Sequence, residues 1–369
     1  MQNKGPPQPR MVGSMGGVIR RLEGIDASKL VNLSANENTL GTTPGVIEAI
    51  AAAAHSAHLY SDTRAWALRE AIGDYYDVDP ACVIPGNGSE ELLDIVARVY
   101  ARPGDEILAP AYSFAQFRIV AWRLGVDYVE SPVKGELDTD IDALIAAVTP
   151  RTRLVYLANP GNPTGRGVDS ADVLRLADAL PGNVVLVLDC AYAEFGDVEA
   201  AATALNLAQT RANVLTTRTL SKAWGMAGLR IGWGVAMQPM ADALNAMRGI
   251  GNVSGPTQAA GIAAMRAKTS RAWQQQVRAH VMRGRERLTG TLRQAGYQVP
   301  DSQTNFVMAR VPKAAGVSAG DLVLQVARAG VLIRACDDYG LDDWLRISIG
   351  GDEVMQRVSD VLAEATREG

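Results

Sequence analysis

Val184-Val185-Leu186-Val187-Leu188 is an unbroken apolar run that closes on Asp189. Leu154-Val155-Tyr156-Leu157 has the same character and runs into Asn159-Pro160-Gly161-Asn162-Pro163-Thr164-Gly165. A strand with one face in water alternates apolar and polar residues. A run without alternation suits a strand covered on both faces, as in a parallel sheet with crossover helices on either side. Outward from these two runs, strand-like segments at 106–109, 127–130, 153–158, 184–189 and 213–218 alternate with helical stretches, among them 45–54, 65–76 and 90–100. This order predicts an α/β domain with a mostly parallel sheet. Beyond Gly255-Pro256 a helical region spans 258–295 with breaks. Alternating segments at 305–311, 331–335 and 344–349 follow, flanked by helices at 320–329 and 352–365, which predicts a smaller α+β domain.

Composition narrows the function. The 369 residues carry 36 Lys+Arg against 40 Asp+Glu, a formal charge of −4, with no long basic tract. A nucleic-acid or anionic-membrane partner is not expected. No apolar run approaches the roughly 18 residues of a membrane helix. The three cysteines and three histidines have no metal-ligand spacing, so neither a disulfide framework nor a metal site is expected. Residues 1–17 are rich in Gly, Pro and polar residues and lack the apolar core of a signal peptide, which suits a loosely held arm of a cytoplasmic protein. Only six of the basic residues are lysines (Lys4, Lys29, Lys134, Lys222, Lys268 and Lys313), so a functional lysine has few competitors.

The residues suited to chemistry cluster at the ends of the expected strands. Lys222, in Thr219-Leu220-Ser221-Lys222-Ala223-Trp224-Gly225, follows one strand and precedes Arg230. It is either a loop lysine in solvent or a Schiff-base lysine, with Ser221 and Arg230 gripping a phosphate. Burial beside another cation would favour the neutral amine. Gly86-Asn87-Gly88-Ser89-Glu90 opens a helix, either as a plain turn capped by Ser89 or as a cradle whose free amides bind an anion. The Asn159–Gly165 string is a rigid turn that also fixes Asn162 at the carboxyl end of a strand, the sheet edge where ligands sit in open α/β folds. Asp189 either caps a helix or pairs with a buried cationic nitrogen. Individually each has a structural explanation. Together they supply the parts of a pyridoxal-phosphate site.

These motifs, with Asn36-Glu37-Asn38, Asp189-Cys190-Ala191-Tyr192-Ala193-Glu194-Phe195, Ser221–Gly232 and Leu345-Arg346-Ile347-Ser348, resemble the fold-type I pyridoxal-phosphate aminotransferases of the histidinol-phosphate aminotransferase subgroup, over about residues 30–365. The resemblance implies a large domain with a mostly parallel seven-stranded sheet at residues 42–260, a small α+β domain at 261–369, and an arm, residues 1–41, joining the small domain. It implies that Lys222 carries pyridoxal 5'-phosphate as an internal aldimine, that Asp189 holds the ring nitrogen protonated, and that Asn162 and Tyr192 bond the ring's phenolic oxygen. Tyr112 would stack on the ring. Gly88, Ser89, Glu90, Thr219, Ser221 and Arg230 would surround the phosphate, joined by Tyr60 from the second subunit of a homodimer. Arg346, Arg334 and Asn38 would bind substrate.

The resemblance departs at the N-terminus. The segment Val18-Ile19-Arg20-Arg21-Leu22-Glu23-Gly24 lacks the Pro-Tyr of the subgroup, with Arg20 or Arg21 as candidate substitutes, and Thr39 stands where proline usually follows the second asparagine. Three readings follow: transamination between histidinol phosphate and 2-oxoglutarate, transamination of an aromatic or other amino acid, and decarboxylation or oxidation on the same scaffold.

Overall fold

The computed structural model describes residues 25–366. The expectations for residues 1–17 and for Arg20 and Arg21 lie outside them. The larger sheet has seven strands in the spatial order Val83–Gly86, Gly232–Val235, Val214–Thr219, Val185–Asp189, Thr152–Ala158, Glu106–Pro110 and Asp127–Ser131. All neighbours run parallel except Gly232–Val235, which is antiparallel to both of its partners. The two runs that open the sequence reading lie side by side, Leu154 paired with Val185 and Ala158 with Asp189.

Both faces of this sheet are covered, as the missing alternation predicts. Leu186 and Leu188 pack into one apolar cluster with Leu157, Leu176 and Trp224, whereas Val185 and Val187 pack into another with Tyr156, Leu93 and Phe117. Burial of these four side chains favours the strand by about 1.5–3 kcal/mol each before entropy is counted. Parallel pairing puts the carboxyl ends of the neighbouring strands in one row, and Asp189, Asn159 and Thr219 fall on that row.

The Gly232–Val235 strand carries no strand signal, because two of its four residues are glycine. Packing explains them: a Cβ at Gly232 would stand 2.2 Å from the Ser89 amide nitrogen and 2.6 Å from the Gly88 carbonyl carbon. The backbone passes so close to the start of the Ser89–Tyr100 helix that only glycine fits.

The second layer has its own core, including Leu33, Phe306, Val307, Leu345, Ile347, Val358 and Leu362. Its three-stranded antiparallel sheet runs Phe306–Arg310, Leu341–Ser348, Arg334–Cys336. The expected strand at 331–335 is divided at Ile333. Val331–Leu332 pairs in parallel with Val31–Asn32 near the N-terminus, and Arg334–Cys336 pairs with Leu341–Ser348. The long helical region likewise divides, into Gly255–Arg266 and Ser270–Gln294. Leu33 accepts a bond from the Ser348 amide, and the residues that follow it, Ser34 to Asn36, line the cleft at the carboxyl ends of the large sheet.

Candidate active site

A cleft of about 540 Å³ lies where the carboxyl ends of the parallel strands face the small sheet, and Lys222, Asp189, Asn162, Tyr192, Ser89 and Arg346 line it. Lys222 stands three residues beyond the Val214–Thr219 strand. Its Nζ donates to the Ala35 carbonyl at 3.0 Å and lies 5.8 Å from the centre of the Tyr192 ring. Burial, reinforced by the Arg346 charge, lowers the ammonium to about 8, so roughly a tenth of the amine is neutral at pH 7, against well under a thousandth for an ordinary lysine. Lys222 is half-buried on the cleft wall with its ammonium bonded to backbone, which differs from a loop lysine free in solvent.

Asp189 ends its strand 3 % exposed. It accepts from the Thr217 hydroxyl at 3.0 Å and from the Ala191 amide, and it forms no ion pair among the described residues. Burial pushes the carboxyl up to about 6, with the Thr217 bond opposing. Asp189 does not cap a helix. A buried carboxylate at a cleft with donors but no cation has the chemistry to hold a protonated ring nitrogen.

The helix Ser89–Tyr100 begins at the same cleft. Its N-cap is Gly88, not Ser89, and no side chain caps the first amides. Those donors therefore remain for an anion, in the favourable field of the helix terminus. Gly88 has a φ of 80°, and a Cβ there would stand 2.7 Å from Arg230 Nη2. Arg230 reaches across to Glu90 at 3.2 Å, with Thr219 and Ser221 also on the cleft wall. Hydroxyls, free amides and a guanidinium suit a phosphate monoester. Together, the orphan carboxylate, the cradle and the partly neutral amine fit pyridoxal 5'-phosphate.

On the opposite wall, Arg346 is 5 % exposed. Its Nη1 donates to Asn162 Oδ1 at 2.5 Å and its Nη2 to the Ser34 carbonyl at 2.7 Å, while its buried Nε has no partner among the described residues. With Oδ1 occupied, the Asn162 amide group is left to donate. Arg334 pairs directly opposite Arg346 in the sheet, so both project from one face. Arg334 is held by Asp338 at 2.5 Å and lies over the Tyr339 ring.

Three expected residues are placed elsewhere. Tyr112 packs against Leu137, Met308, Leu341 and Trp344 and lines a smaller neighbouring cavity, so it offers no ring to the main cleft; Phe114, two residues on, faces that cleft instead. The chain turns between them, with Tyr112 at a φ of 56°. Asn38 does not line the cleft because its side chain is spent locally, accepting from the Leu40 amide and donating to the Ala223 carbonyl. Tyr60 is 92 % exposed and outside the cleft of this single chain. Ser34, Ala35 and Asn36, and the Phe114, Gln116 and Ile119 face leading into the Ala115–Leu124 helix, line the cleft without any sequence signal that singles them out individually.

Comparison with known proteins agrees with this geometry. The model of the family "Aminotransferase class I and II" matches residues 28–362. A histidinol-phosphate aminotransferase of Ruegeria pomeroyi is 40% identical over 362 residues, 98% of each chain. One from Paramagnetospirillum magneticum is 39% identical over 343 residues, 93% of each chain. The crystal structure of histidinol-phosphate aminotransferase from Sinorhizobium meliloti in complex with pyridoxal-5'-phosphate superposes with a TM-score of 0.86 at 28% identity, covering 97% of this chain and 96% of that one. An aspartate aminotransferase double mutant of Thermus thermophilus shares the fold at a TM-score of 0.82 and 23% identity, covering 96% and 97%. The fold is that of the fold-type I transferases, and the chain belongs to the aminotransferase class I and II family.

Proposed function

We propose that this protein is a pyridoxal-phosphate aminotransferase that moves the amino group of histidinol phosphate to 2-oxoglutarate. The observation that carries the reading is the convergence of a partly neutral Lys222, an uncompensated Asp189 and the uncapped helix start at Ser89 on one cleft. The names of the relatives support the donor.

When bound, pyridoxal 5'-phosphate supplies an aldehyde carbon for condensation with amines and a conjugated ring that accepts electrons released at the substrate Cα. Lys222 Nζ would bond that aldehyde at rest and, once displaced by the donor amine, would carry the proton from the donor's Cα to the former aldehyde carbon, and in the reverse direction with the keto acceptor. An amine near pH 8 suits both duties. Asp189 would hold a proton on the ring nitrogen through their mutual attraction. Asn162 and Tyr192 would donate to the phenolic oxygen. The first amides of the Ser89–Tyr100 helix, with Ser221, Thr219 and Arg230, would anchor the phosphate. Arg346, with Arg334 beside it, would bind the anionic group of either substrate through two parallel N–H bonds. Among the described residues no helix is long and apolar enough to cross a membrane, and a cytoplasmic enzyme is the setting that fits the reading.

The same reading makes the enzyme a homodimer. Tyr60 and Ile250 are each 92 % exposed, Tyr60 lies against Gly251, and Leu59, Met247 and Ile47 are also exposed. Exposed apolar side chains of this size favour association with a second copy, from which Tyr60 would reach the phosphate.

Half-reaction spectroscopy tests the proposal. Histidinol phosphate should convert the coenzyme to its amine form, and 2-oxoglutarate should restore it. Conversion by aromatic amino acids but not by histidinol phosphate would move the donor to the aromatic class, for which Phe114 and Ile119 offer an apolar wall. Release of carbon dioxide or consumption of oxygen without net amino transfer would overturn transamination.

A further inference from the structure

Asn36 is 2 % exposed, lies on the cleft wall and holds a φ of 55°, a left-handed conformation that asparagine tolerates better than most residues. Its backbone is fixed on both sides: its amide donates to Ser348 Oγ at 3.0 Å, and its carbonyl accepts from Asn305 Nδ2 at 3.0 Å. Its side chain makes two directed bonds. Ser348 Oγ donates to Asn36 Oδ1 at 3.1 Å, and Asn36 Nδ2 donates to the Tyr192 hydroxyl oxygen at 2.9 Å.

The direction of this chain follows from counting hydrogens. Ser348 is 1 % exposed, and its one hydroxyl hydrogen has Asn36 Oδ1 as its acceptor. If the amide were turned over, that hydrogen would face an N–H and lose its partner in a buried setting. The amide therefore presents Nδ2 to Tyr192. The Tyr192 oxygen accepts from it, and no acceptor takes the phenolic hydrogen among the described residues. Arg346, Asp189 and Tyr339 act on Tyr192 electrostatically, and Lys222 lies over its ring. None of them bonds the hydroxyl.

We propose that Asn36 is a positioning residue, and that the relay from Ser348 through Asn36 makes Tyr192 a fixed donor aimed into the cleft. The inference rests on the reading above, in which that hydrogen meets the phenolic oxygen of the coenzyme. It also gives the reacting wall a tie to the substrate wall, because Ser348 lies two residues beyond Arg346 on the same strand.

The test is a pH titration of the bound coenzyme's absorbance in the holoenzyme, with coenzyme dissociation measured alongside. A donor to the phenolic oxygen stabilises the deprotonated coenzyme, so withdrawing it raises the spectral pKa. Tyr192→Phe should produce the largest rise. Asn36→Asp, nearly the same shape, replaces the donor by an acceptor and turns the Tyr192 hydrogen away from the cleft; a rise of roughly one pH unit is expected from losing one charge-assisted bond. Asn36→Ala and Ser348→Ala should shift it the same way by less. The two neutral variants, Asn36→Ala and Ser348→Ala, should not add to Tyr192→Phe, since they act through it. If Tyr192→Phe shifts the titration while Asn36→Asp, Asn36→Ala and Ser348→Ala titrate like the wild type, the relay is wrong and the coenzyme reading stands. If Tyr192→Phe leaves the titration unmoved, its placement at the ring is wrong, and the relay falls with it.

Discussion

The wall that carries Asp189, Lys222 and Ser89 is assembled from the ends of strands of one sheet, each site lying within a few residues of its strand. The wall that carries Arg346 is assembled across the chain: the guanidinium bonds the carbonyl of Ser34, 312 residues away, and Asn36 bonds Ser348 over the same separation. The first wall is fixed by local turns on a rigid sheet. The second depends on the N-terminal segment staying docked on the small sheet. Loss of a group on the first wall should strike the chemical step, and loss on the second should strike substrate affinity.

The largest effect is expected for Lys222→Ala. In the proposed function it removes the group that would bond the coenzyme and move the proton, so turnover should fall by at least about 10³-fold, and the absorbance of the lysine-linked coenzyme should vanish. A variant that keeps both would dissolve the distinction between the walls.

Asp189→Asn comes next and separates function from stability. Turnover should fall by roughly 10²-fold or more, because in the proposed function the charge that would face the ring nitrogen is lost. The apoprotein should become more stable. A carboxyl raised from 3.8 to about 6 on folding adds nothing unfavourable below pH 3.8, and becomes progressively destabilising as pH rises through 6. Removing it should therefore stabilise the apoprotein by about 1–3 kcal/mol above pH 6, with the gain fading toward pH 4. Urea denaturation of both apoproteins at pH 4 and pH 7.5 reads this. A pH-independent difference would mean that Asp189 is not buried uncompensated.

Arg346→Lys probes the second wall. A lysine keeps the charge but not the planar fork, so KM for the anionic substrate should rise roughly 10- to 100-fold, with kcat changed less. A fall in kcat alone would place Arg346 on the reacting side.

The two walls also differ in how far the sequence discloses them. The unbroken apolar runs mark the parallel strands, and motifs at their ends name Lys222, Asp189, Asn162 and Ser89, because a strand end and its turn are contiguous in sequence. Gly232–Val235 escapes pattern reading since Gly232 answers to a steric demand from Ser89 and Gly234 to Leu92 and Leu215, residues distant in the chain. Asn36 and Asn38 are equivalent by motif, and only the fold decides which meets Tyr192 and which is consumed by the Ala223 carbonyl. Tyr112 and Phe114 differ in the same manner: both are aromatic, both follow one strand, and the direction of one left-handed residue selects between them.

That last pair gives the smallest and sharpest test. Tyr112 bridges the end of the Glu106–Pro110 strand to the three-stranded sheet through Met308, Leu341 and Trp344, so Tyr112→Ala opens a gap between the layers. It should lower stability by about 2 kcal/mol, measured by denaturant midpoint, while leaving coenzyme affinity within about threefold. Phe114→Ala should do the reverse, weakening binding by about 3- to 10-fold, the worth of one aromatic contact, with little change in midpoint. If Tyr112→Ala instead releases the coenzyme and Phe114→Ala does not, the turn after this strand is reversed in the loaded enzyme. The aromatic wall would then belong to the closing of the site and not to its resting geometry.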